Sequence, residues 1–251
     1  MSAVAAMLYR EGRIRVTNLT FIFWDLFYPL GYLLVFGVMM NHMIGTGAPL
    51  AGTDYNAFFL AGVLGMAGFG IASNTSWSFF LDRDNGIFYE MLTYPMSRAE
   101  YLGAKVFFNV LVAAVQALIT VGLAALLLGV RLRWELLPLL LAAVVVGTAG
   151  WFYFYAIFAL RIRRNDVFNA VTSVFYFVFL FASSMFYPLE PLPRWFRVTA
   201  LANPITWHVD VLRYATIGYG QPRLVAIEAG AFVLFTLGSF WLAVRALENQ
   251  E

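Results

Sequence analysis

The chain has 251 residues, of which 62% are hydrophobic and only 12% are charged, and its formal net charge is +2. This composition excludes an ordinary soluble domain and predicts an integral membrane protein. The sequence has no run of basic residues that would bind nucleic acid. Because it contains no cysteine, it has no disulfide framework and no cysteine metal site.

Residues 1–19 are predicted to form an interfacial helix that lies on the cytoplasmic face of a membrane. Arg10 and Arg13 fall on one side of this helix, and apolar residues fall roughly opposite. Glu11 and Arg15 form an i, i+4 pair close to the apolar side, so the helix is imperfectly amphipathic. A mobile basic arm is the alternative.

Six stretches are long enough, at about 20 residues, to cross the hydrocarbon core. They are residues 20–43, 56–80, 104–130, 137–160, 167–187 and 224–244. An even number of spans puts both termini on one side, and the arginine-rich turn at 161–164 marks that side as cytoplasmic. The predicted fold is therefore an all-α membrane protein with six transmembrane helices and a single domain, 1–251.

The first two spans carry distinctive residues. Pro29 should kink the first span. We expect Asp25 to reach the interface or to meet an arginine, and a functional intramembrane charge is the alternative. In the second span, small residues recur at steps of four, three and four. They permit close helix packing, within or between subunits, at Ala61, Gly65, Gly68 and Ala72.

The longest polar interruption, residues 81–103, contains a predicted short helix. Asp84 or Asn85 can cap this helix, which opens at Gly86, and Pro95 ends it. One face would present apolar residues with a carboxylate beside them, at Ile87, Glu90, Met91 and Tyr94. Such a face predicts a surface that binds a partner; a loop that only joins two spans is the alternative.

A capping box is predicted where the third span begins, formed by Ser97 and Glu100. The third span is otherwise aliphatic with Gln116 as its main polar group, so we interpret it as a lipid-facing support. Aromatic residues are dense in the fourth and fifth spans, where they either pack or line a path for an apolar substrate. The candidate pathway residues are Phe69, Asn74, Thr172, Phe175 and Phe179.

Residues 188–223 are predicted to form a re-entrant hairpin of two short helices on the outer side. Trp195 belongs to the first of these helices. Asn203 should cap the second, with Pro204 at its first position. Asp210 and Arg213 are three residues apart and can pair. Glu228, near the outer end of the last span, is interpreted as an interfacial carboxylate.

Two motifs lie far apart in the chain. The first extends from Arg83 to Lys105 and reads R-x-x-G-x-x-x-E-x-L-x-x-P-x-S-R-x-E-x-x-x-x-K. The second extends from Phe186 to Arg213 and contains F-x-P-x-x-x-x-P-x-W, then N-P, then D-x-x-R. Both resemble motifs of the permease subunits of type-two ATP-binding-cassette exporters. The resemblance covers essentially the whole chain and indicates the family better than the substrate.

The resemblance implies that the chain is the membrane-spanning subunit of an exporter in a bacterial inner membrane. It implies two partners, an ATPase subunit and a second copy or homologous permease. It also implies amphipathic or hydrophobic substrates, such as drugs or lipids; lipid-linked polysaccharide or lipo-oligosaccharide is the alternative. The segment that couples to the ATPase would comprise Gly86, Ile87, Glu90, Met91, Tyr94, Pro95 and Arg98.

Catalytic chemistry is not expected in this chain. It has no phosphate-binding loop, and Lys105 is its only lysine, so ATP and magnesium would bind to the partner ATPase. Its two histidines, His42 and His208, lack metal-ligand spacing. A membrane-embedded enzyme would need clustered titratable groups, and an ion-coupled carrier would need charges near the midplane; neither pattern is found.

Overall fold

Long apolar helices form the body of the molecule. The computed structural model describes residues 3–18, 20, 23–44, 53–91 and 93–248, and this part of the chain contains helices and no strand. The helices are α1 (Ala3–Thr17), α2 (23–44), α3 (Tyr55–Asp84), α4 (Ile87–Met91), α5 (Arg98–Leu128), α6 (Leu137–Arg161), α7 (Asn165–Phe181), α8 (Arg194–Leu201), α9 (Pro204–Ile217) and α10 (Pro222–Glu248).

Five of these helices are long and apolar enough to cross a membrane. The candidate spans are Phe23–Met40, Tyr55–Asp84, Glu100–Leu128, Trp134–Arg161 and Pro222–Glu248. They correspond to five of the six predicted spans. The remaining one, predicted at 167–187, corresponds to α7, which has only 17 residues and ends at Phe181.

The end of α7 was predicted wrongly because residues distant in sequence terminate the helix. Asn203, from the start of α9, donates its side-chain amide to the carbonyl oxygens of Phe179 at 2.9 Å and of Ala182 at 2.7 Å. Tyr187 donates its hydroxyl to the carbonyl of Phe181. These carbonyls would otherwise lack partners at a helix end, so the chain can turn at Ala182.

The winding of α2 is irregular around its proline. Two π-helical stretches, Phe23–Phe27 and Tyr32–Gly37, flank the α-helical turn Tyr28–Gly31, and Val38–Ile44 completes the segment. Proline cannot donate the backbone hydrogen bond of a regular helix, and wider turns are a common accommodation. The winding is thus irregular on both sides of the turn that contains Pro29, and the kink itself stays a prediction. Residues 21 and 22 of the predicted span lie outside the described residues.

The central helix of the bundle is α3, which is buried along most of its length. Its small-residue stripe packs within the subunit. A Cβ atom on Gly65 would lie 2.7 Å from Cγ2 of Val209 in α9, and one on Gly68 would lie 3.1 Å from Oγ1 of Thr148 in α6. Small residues are therefore needed at these positions for α6 and α9 to approach α3.

The predicted hairpin consists of α8 and α9. The side chain of Asn203 accepts a hydrogen bond from the backbone N–H of Ile205, with Pro204 in the first turn, as predicted. Asp210 and Arg213 pair, also as predicted. Arg213 donates further to the carbonyl oxygens of Phe58 at 3.3 Å and Ser184 at 2.8 Å, which fastens α9 to α3. Trp195, by contrast, is exposed.

A buried histidine joins α9 to α6. The indole N–H of Trp151 donates to Nδ1 of His208 at 3.4 Å, so the Nε2–H of the neutral ring donates to the carbonyl oxygen of Ala143 at 3.2 Å. The ring lies directly against Gly147, where a Cβ atom would be 2.0 Å from Nε2 of His208. This contact fixes the distance between α6 and α9.

The first and the last helix both contact the start of α5, at one end of the bundle, here called the α4 end. α1 packs against the start of α5, and Arg98 at that start donates to the carbonyl oxygen of Leu247 in the last turn of α10. The opposite end, called the α9 end, carries α8 and α9. This arrangement agrees with the expectation that both termini share one side; the identity of that side stays a prediction.

Candidate functional site

The short helix α4 is fastened to the bundle by one aromatic side chain. Phe88 is fully buried, with its ring 5.7 Å from that of Phe79 in α3 and 5.2 Å from that of Tyr101 in α5. Gly86, which joins α3 to α4, has a φ of 78°, a conformation that favours glycine. The helix thus lies across the α4 end in a fixed position.

The outward surface of α4 differs from the predicted one. Ile87 and Met91 are only half-buried rather than exposed, because Phe88 turns their side of the helix towards the bundle. The fully outward residues are Tyr89 and Glu90, followed by Tyr94 beyond the helix end. An aromatic and acidic surface is therefore exposed at the α4 end.

The segment after α4 turns sharply into α5. The exposed Pro95 lies in this turn. The predicted capping box is present: the Ser97 backbone N–H donates to Oε2 of Glu100 at 2.7 Å, and the Glu100 N–H donates to Oγ of Ser97 at 3.2 Å. Arg98 donates to the carbonyl oxygen of Leu247 at the end of α10, at 3.0 Å.

A buried group of charged residues ties α1, α3 and α5 together beside α4. The carboxylate of Asp82 accepts hydrogen bonds from Arg10 at 2.7 Å, from Tyr101 at 2.5 Å and from Lys105 at 2.6 Å. Glu11 accepts from Lys105 at 3.3 Å and from Arg10 at 3.0 Å. Two cations thus face two carboxylates, and the charges balance.

The pKa of Arg10 shows how the charged residues of this group remain ionised although they are buried. Burial by itself lowers the pKa of the guanidinium, but the hydrogen bond and the charge of Asp82 more than offset it, so the pKa of Arg10 is raised above its usual range. Each buried charge therefore depends on its partners. The position of Glu11 near the apolar side of α1, which made the helix imperfectly amphipathic in sequence, is explained by this pairing.

A second polar group continues from α1 towards α2. Arg15 pairs with Asp25 and also donates to the side chain of Asn109 in α5. Asn109 in turn accepts from Thr75 of α3 at 2.6 Å. Asp25 thus pairs with an arginine, which was one of the environments expected for it. The interpretation of α5 as a plain lipid-facing support is wrong for its inner side, where Lys105 and Asn109 are buried.

Arg83 points away from this network to another helix. Its guanidinium donates to the carbonyl oxygens of Ala159 and Ile162 at the end of α6. One turn earlier, Phe80 stacks on Phe168 in the first turn of α7, with ring centroids 4.9 Å apart and planes 16° apart. At the α4 end, the last turns of α3 therefore contact α1, α4, α5, α6 and α7 through named side chains.

A groove of about 550 Å³ opens between α2, α3 and α7. Its surface mixes aromatic rings with amides and hydroxyls, and includes Trp24, Asp25, Tyr28, Asn74, Trp77, Asn169, Thr172, Ser173 and Tyr176. Of the candidate pathway residues, Asn74 and Thr172 line this groove.

The other three pathway candidates lie behind the groove in an aromatic cluster. The ring of Phe69 is 4.7 Å from that of Trp151, and the ring of Phe179 is 5.6 Å from those of Trp151 and Phe175. Phe69 is fully buried. In this structure Phe69, Phe175 and Phe179 pack α3, α6 and α7 together and do not face the groove.

A second cavity, of about 770 Å³, lies at the α9 end. Asp210, Arg213 and Glu228 line it together with the exposed Glu190. The half-buried Glu228 faces this cavity from the second turn of α10. Among the described residues, no group of three or more histidines, aspartates or glutamates is arranged to hold a metal ion.

Sequence reasoning missed Asp82, Phe80 and Phe88 as functional candidates. A signal existed for Asp82, because a carboxylate at the end of a 30-residue apolar helix is costly unless it is paired. For Phe88 the signal was weak, since it lies among other aromatic residues and its burial depends on Phe79 and Tyr101, which belong to different helices.

Comparisons with known proteins agree on one kind of molecule. A sequence model of the family described as ABC-2 type transporter matches residues 2–217. Proteins named as transport permease ycf38 are similar to the chain: 26% identical over 195 residues in Cyanophora paradoxa and 26% over 192 residues in Porphyra purpurea. Each of these alignments covers 74% of this chain and 64% of the relative, so the chain spans somewhat less than two thirds of those proteins. The protein of that name in Pyropia yezoensis is 22% identical over 220 residues, which cover 82% of this chain and 74% of the relative.

Proposed function

Because the chain belongs to the ABC-2 type transporter family, we propose that it is the membrane-spanning subunit of an ATP-driven exporter. The transport role follows from the family. The outward direction, the ATPase partner and a dimer with a second copy or a homologous permease are parts of the proposal. So are the location in a bacterial inner membrane and the placement of the α4 end in the cytoplasm.

The observation that carries the proposal is the exposed surface of α4. A helix inside the bilayer cannot contact a soluble ATPase, so the ATPase must act on an element that projects from the bundle. α4 is held by Phe88 on its inner side and presents Tyr89 and Glu90 on its outer side, and Tyr94 is exposed just beyond its end. Tyrosine is enriched at the centre of protein interfaces, and acidic residues are more common at their polar rim.

The groove between α2, α3 and α7 is proposed as this subunit's share of the substrate path. Aromatic rings such as Trp24 and Tyr176 suit the apolar part of a substrate, and the amide and hydroxyl groups of Asn74 and Thr172 suit a polar headgroup. This mixture favours an amphipathic substrate. The same amide and hydroxyl groups also suit a lipid-linked saccharide, which is the second candidate.

The partner is tested first. We expect an ATPase with a phosphate-binding loop to co-purify with the tagged chain in mild detergent, and to be encoded next to it. Reconstituted with that ATPase, the chain should support ATP-dependent movement of a fluorescent amphiphile across a vesicle membrane. Transport of a lipid-linked oligosaccharide but not of the amphiphile would favour the second candidate. Co-purification of no ATPase would contradict the proposal.

Substitutions on α4 test whether its exposed surface binds the ATPase. Tyr89→Ala and Glu90→Ala should leave membrane insertion intact but weaken ATPase association or separate hydrolysis from transport. Trp195→Ala, which removes an exposed aromatic side chain at the α9 end, is the control and should have no effect. The measurements are pull-down of the ATPase and its substrate-stimulated activity. If both α4 variants bind and stimulate the ATPase like wild type, α4 is only a connection between α3 and α5.

A further inference from the structure

Two separate sets of contacts join the α4 end to the walls of the groove, and both start from the last turn of α3. Asp82 and Arg83 are neighbours in sequence, but their side chains bind different helices. α4 follows this turn directly through Asn85 and Gly86, and its Phe88 packs on Phe79 of α3 and on Tyr101 of α5. A displacement of α4 therefore acts directly on the end of α3.

The first set of contacts leads to α7, one wall of the groove. Arg83 donates to the carbonyl oxygens of Ala159 and Ile162, which lie at the C-terminus of α6 and lack partners further along the helix. Phe80, one turn before Arg83, stacks on Phe168. Phe168 itself lines the groove and lies one helical turn before Thr172. The turn that carries Arg83 is thus fastened to the base of the α7 wall.

The second set leads to α2, the opposite wall. Asp82 binds Arg10 of α1, and Arg15, five residues further along the same helix, pairs with Asp25 of α2. Asp25 lines the groove. The backbone of α1 between these two arginines is continuously helical, so α1 acts as a strut between the end of α3 and the α2 wall.

We propose that Asp82 and Arg83 are positioning residues that distribute the movement of α4 to the two walls of the groove. Arg83 transmits it to α7, and Asp82 transmits it through α1 and Arg15 to α2. Buried hydrogen-bonded charges hold their partners tightly, because separating them would leave a charge unpaired. The elements at each end of these bonds consequently move together. This inference rests on the proposed function, in which an ATPase displaces α4.

The chain lacks cysteine, so the movement of each wall can be followed by a single introduced thiol. Trp24→Cys reports on the α2 wall and Ser173→Cys on the α7 wall; both side chains are exposed and line the groove. The measurement is the rate of alkylation by a water-soluble maleimide in the reconstituted complex, without nucleotide and with vanadate-trapped ADP. In the otherwise wild-type complex, nucleotide should change both rates.

Two arginine variants serve as controls for each other. Arg83→Met should reduce the nucleotide-dependent change in rate at position 173, where the stack of Phe80 on Phe168 remains, and retain the change at position 24. Arg15→Met should have the reverse effect. The conservative variants Arg83→Lys and Arg15→Lys retain a cationic donor and should restore part of the lost response. A general loss of stability would lower both responses in each variant, so it would not reproduce this crossed pattern.

The possible outcomes distinguish a failure of the ATP-driven role from a failure of the separate transmission to the two walls. If nucleotide changes neither rate in the wild-type background, the ATP-driven role itself is overturned, and this inference with it. If wild type responds but each variant affects both walls equally, or neither, the separate transmission is overturned. Should the methionine variants not assemble, the lysine variants decide the question: a reduction confined to one wall supports the inference, and an equal response at both walls overturns it.

Discussion

At the scale of single residues, Gly147 makes the tightest contact among the described glycines, against His208. In Gly147→Ala the new methyl group would lie 2.0 Å from Nε2 of His208, so the imidazole would be pushed away from Ala143 and Trp151. Overpacking of this kind costs about 1–3 kcal/mol. We expect a lower midpoint of thermal unfolding in detergent, measured by intrinsic tryptophan fluorescence.

Gly122→Ala is the matched control for that substitution. Gly122 also lies inside a long helix, but a Cβ atom there would meet nothing within 4 Å. Alanine has a higher helix propensity than glycine, so this variant should be as stable as wild type or slightly more stable. Equal midpoints for the two alanine variants would show that α6 and α9 can separate without cost.

Lys105 provides a second prediction at this scale. Its ammonium group is fully buried against Asp82 and Glu11. In Lys105→Met, Arg10 would be the one remaining charged partner of these two carboxylates among the described contacts. Removal of one partner from a buried ion pair costs about 3–5 kcal/mol. The free energy of unfolding in detergent should fall accordingly.

The control for Lys105 is an ion pair on the surface. Arg164 and Asp166 pair at 2.5 Å, but their side chains are 75% and 64% exposed. Solvent screens such a pair, so Arg164→Met should leave the unfolding midpoint unchanged. If Lys105→Met were as stable as Arg164→Met, the buried group would not be an important source of stability.

Residue pairs were predictable when their partners are close in sequence. The Ser97–Glu100 capping box and the Asp210–Arg213 pair follow from a spacing of three residues, which brings side chains together on any helix. Arg10 and Asp82 are 72 positions apart, and their bond depends on which helices are neighbours. Helical periodicity identifies the buried face of a helix but not the residue that faces it.

At the scale of helices, Asn203 performs two tasks that substitutions can separate. Its side-chain oxygen accepts from the Ile205 N–H at the start of α9, and its amide group donates to two carbonyl oxygens at the end of α7. Asn203→Asp should keep the cap of α9 but lose both donations. Asn203→Ala should lose all three bonds.

We therefore expect both variants to loosen the end of α7, and only the alanine variant to loosen the start of α9. Loss of an N-cap costs about 1 kcal/mol, and each unsatisfied buried carbonyl about 1–3 kcal/mol. Hydrogen exchange measured by mass spectrometry on peptides from the two helices would resolve the effects. Equal protection of α9 in both variants would contradict the role of Asn203 as its cap.

The existence of the long helices was predictable from hydropathy, whereas the end of α7 was not. Hydropathy continues past Phe181 through Met185 and Phe186, so the sequence favours a longer span. The competing influence is Asn203, which lies at the start of another helix and donates hydrogen bonds to carbonyl oxygens at the end of a shorter α7.

The residues that line the groove were only partly predictable from the sequence. Polar residues such as Asn74 and Thr172 prefer a wet surface, but aromatic residues suit both a groove and a packed core.

At the scale of the whole molecule, the direction of the bundle in the membrane can be tested with single cysteines. Arg163 lies in the exposed turn at the α4 end and Arg133 at the α9 end. In intact cells an impermeant thiol reagent should modify Arg133→Cys but not Arg163→Cys, which should react only after permeabilisation. Modification of position 163 in intact cells would reverse the proposed orientation, and with it the access of an ATPase to α4.

The burial of Lys105 has a chemical consequence for the molecule as a whole. It is the only lysine in the 251 residues, so the folded chain offers no lysine amine to acylating reagents. An N-hydroxysuccinimide ester should modify this side chain only when α1 and α5 part from α3. Mass spectrometry of the peptide that contains Lys105 would then measure how often α1 and α5 separate from α3. The experiment needs no substitution and can be done in native membranes.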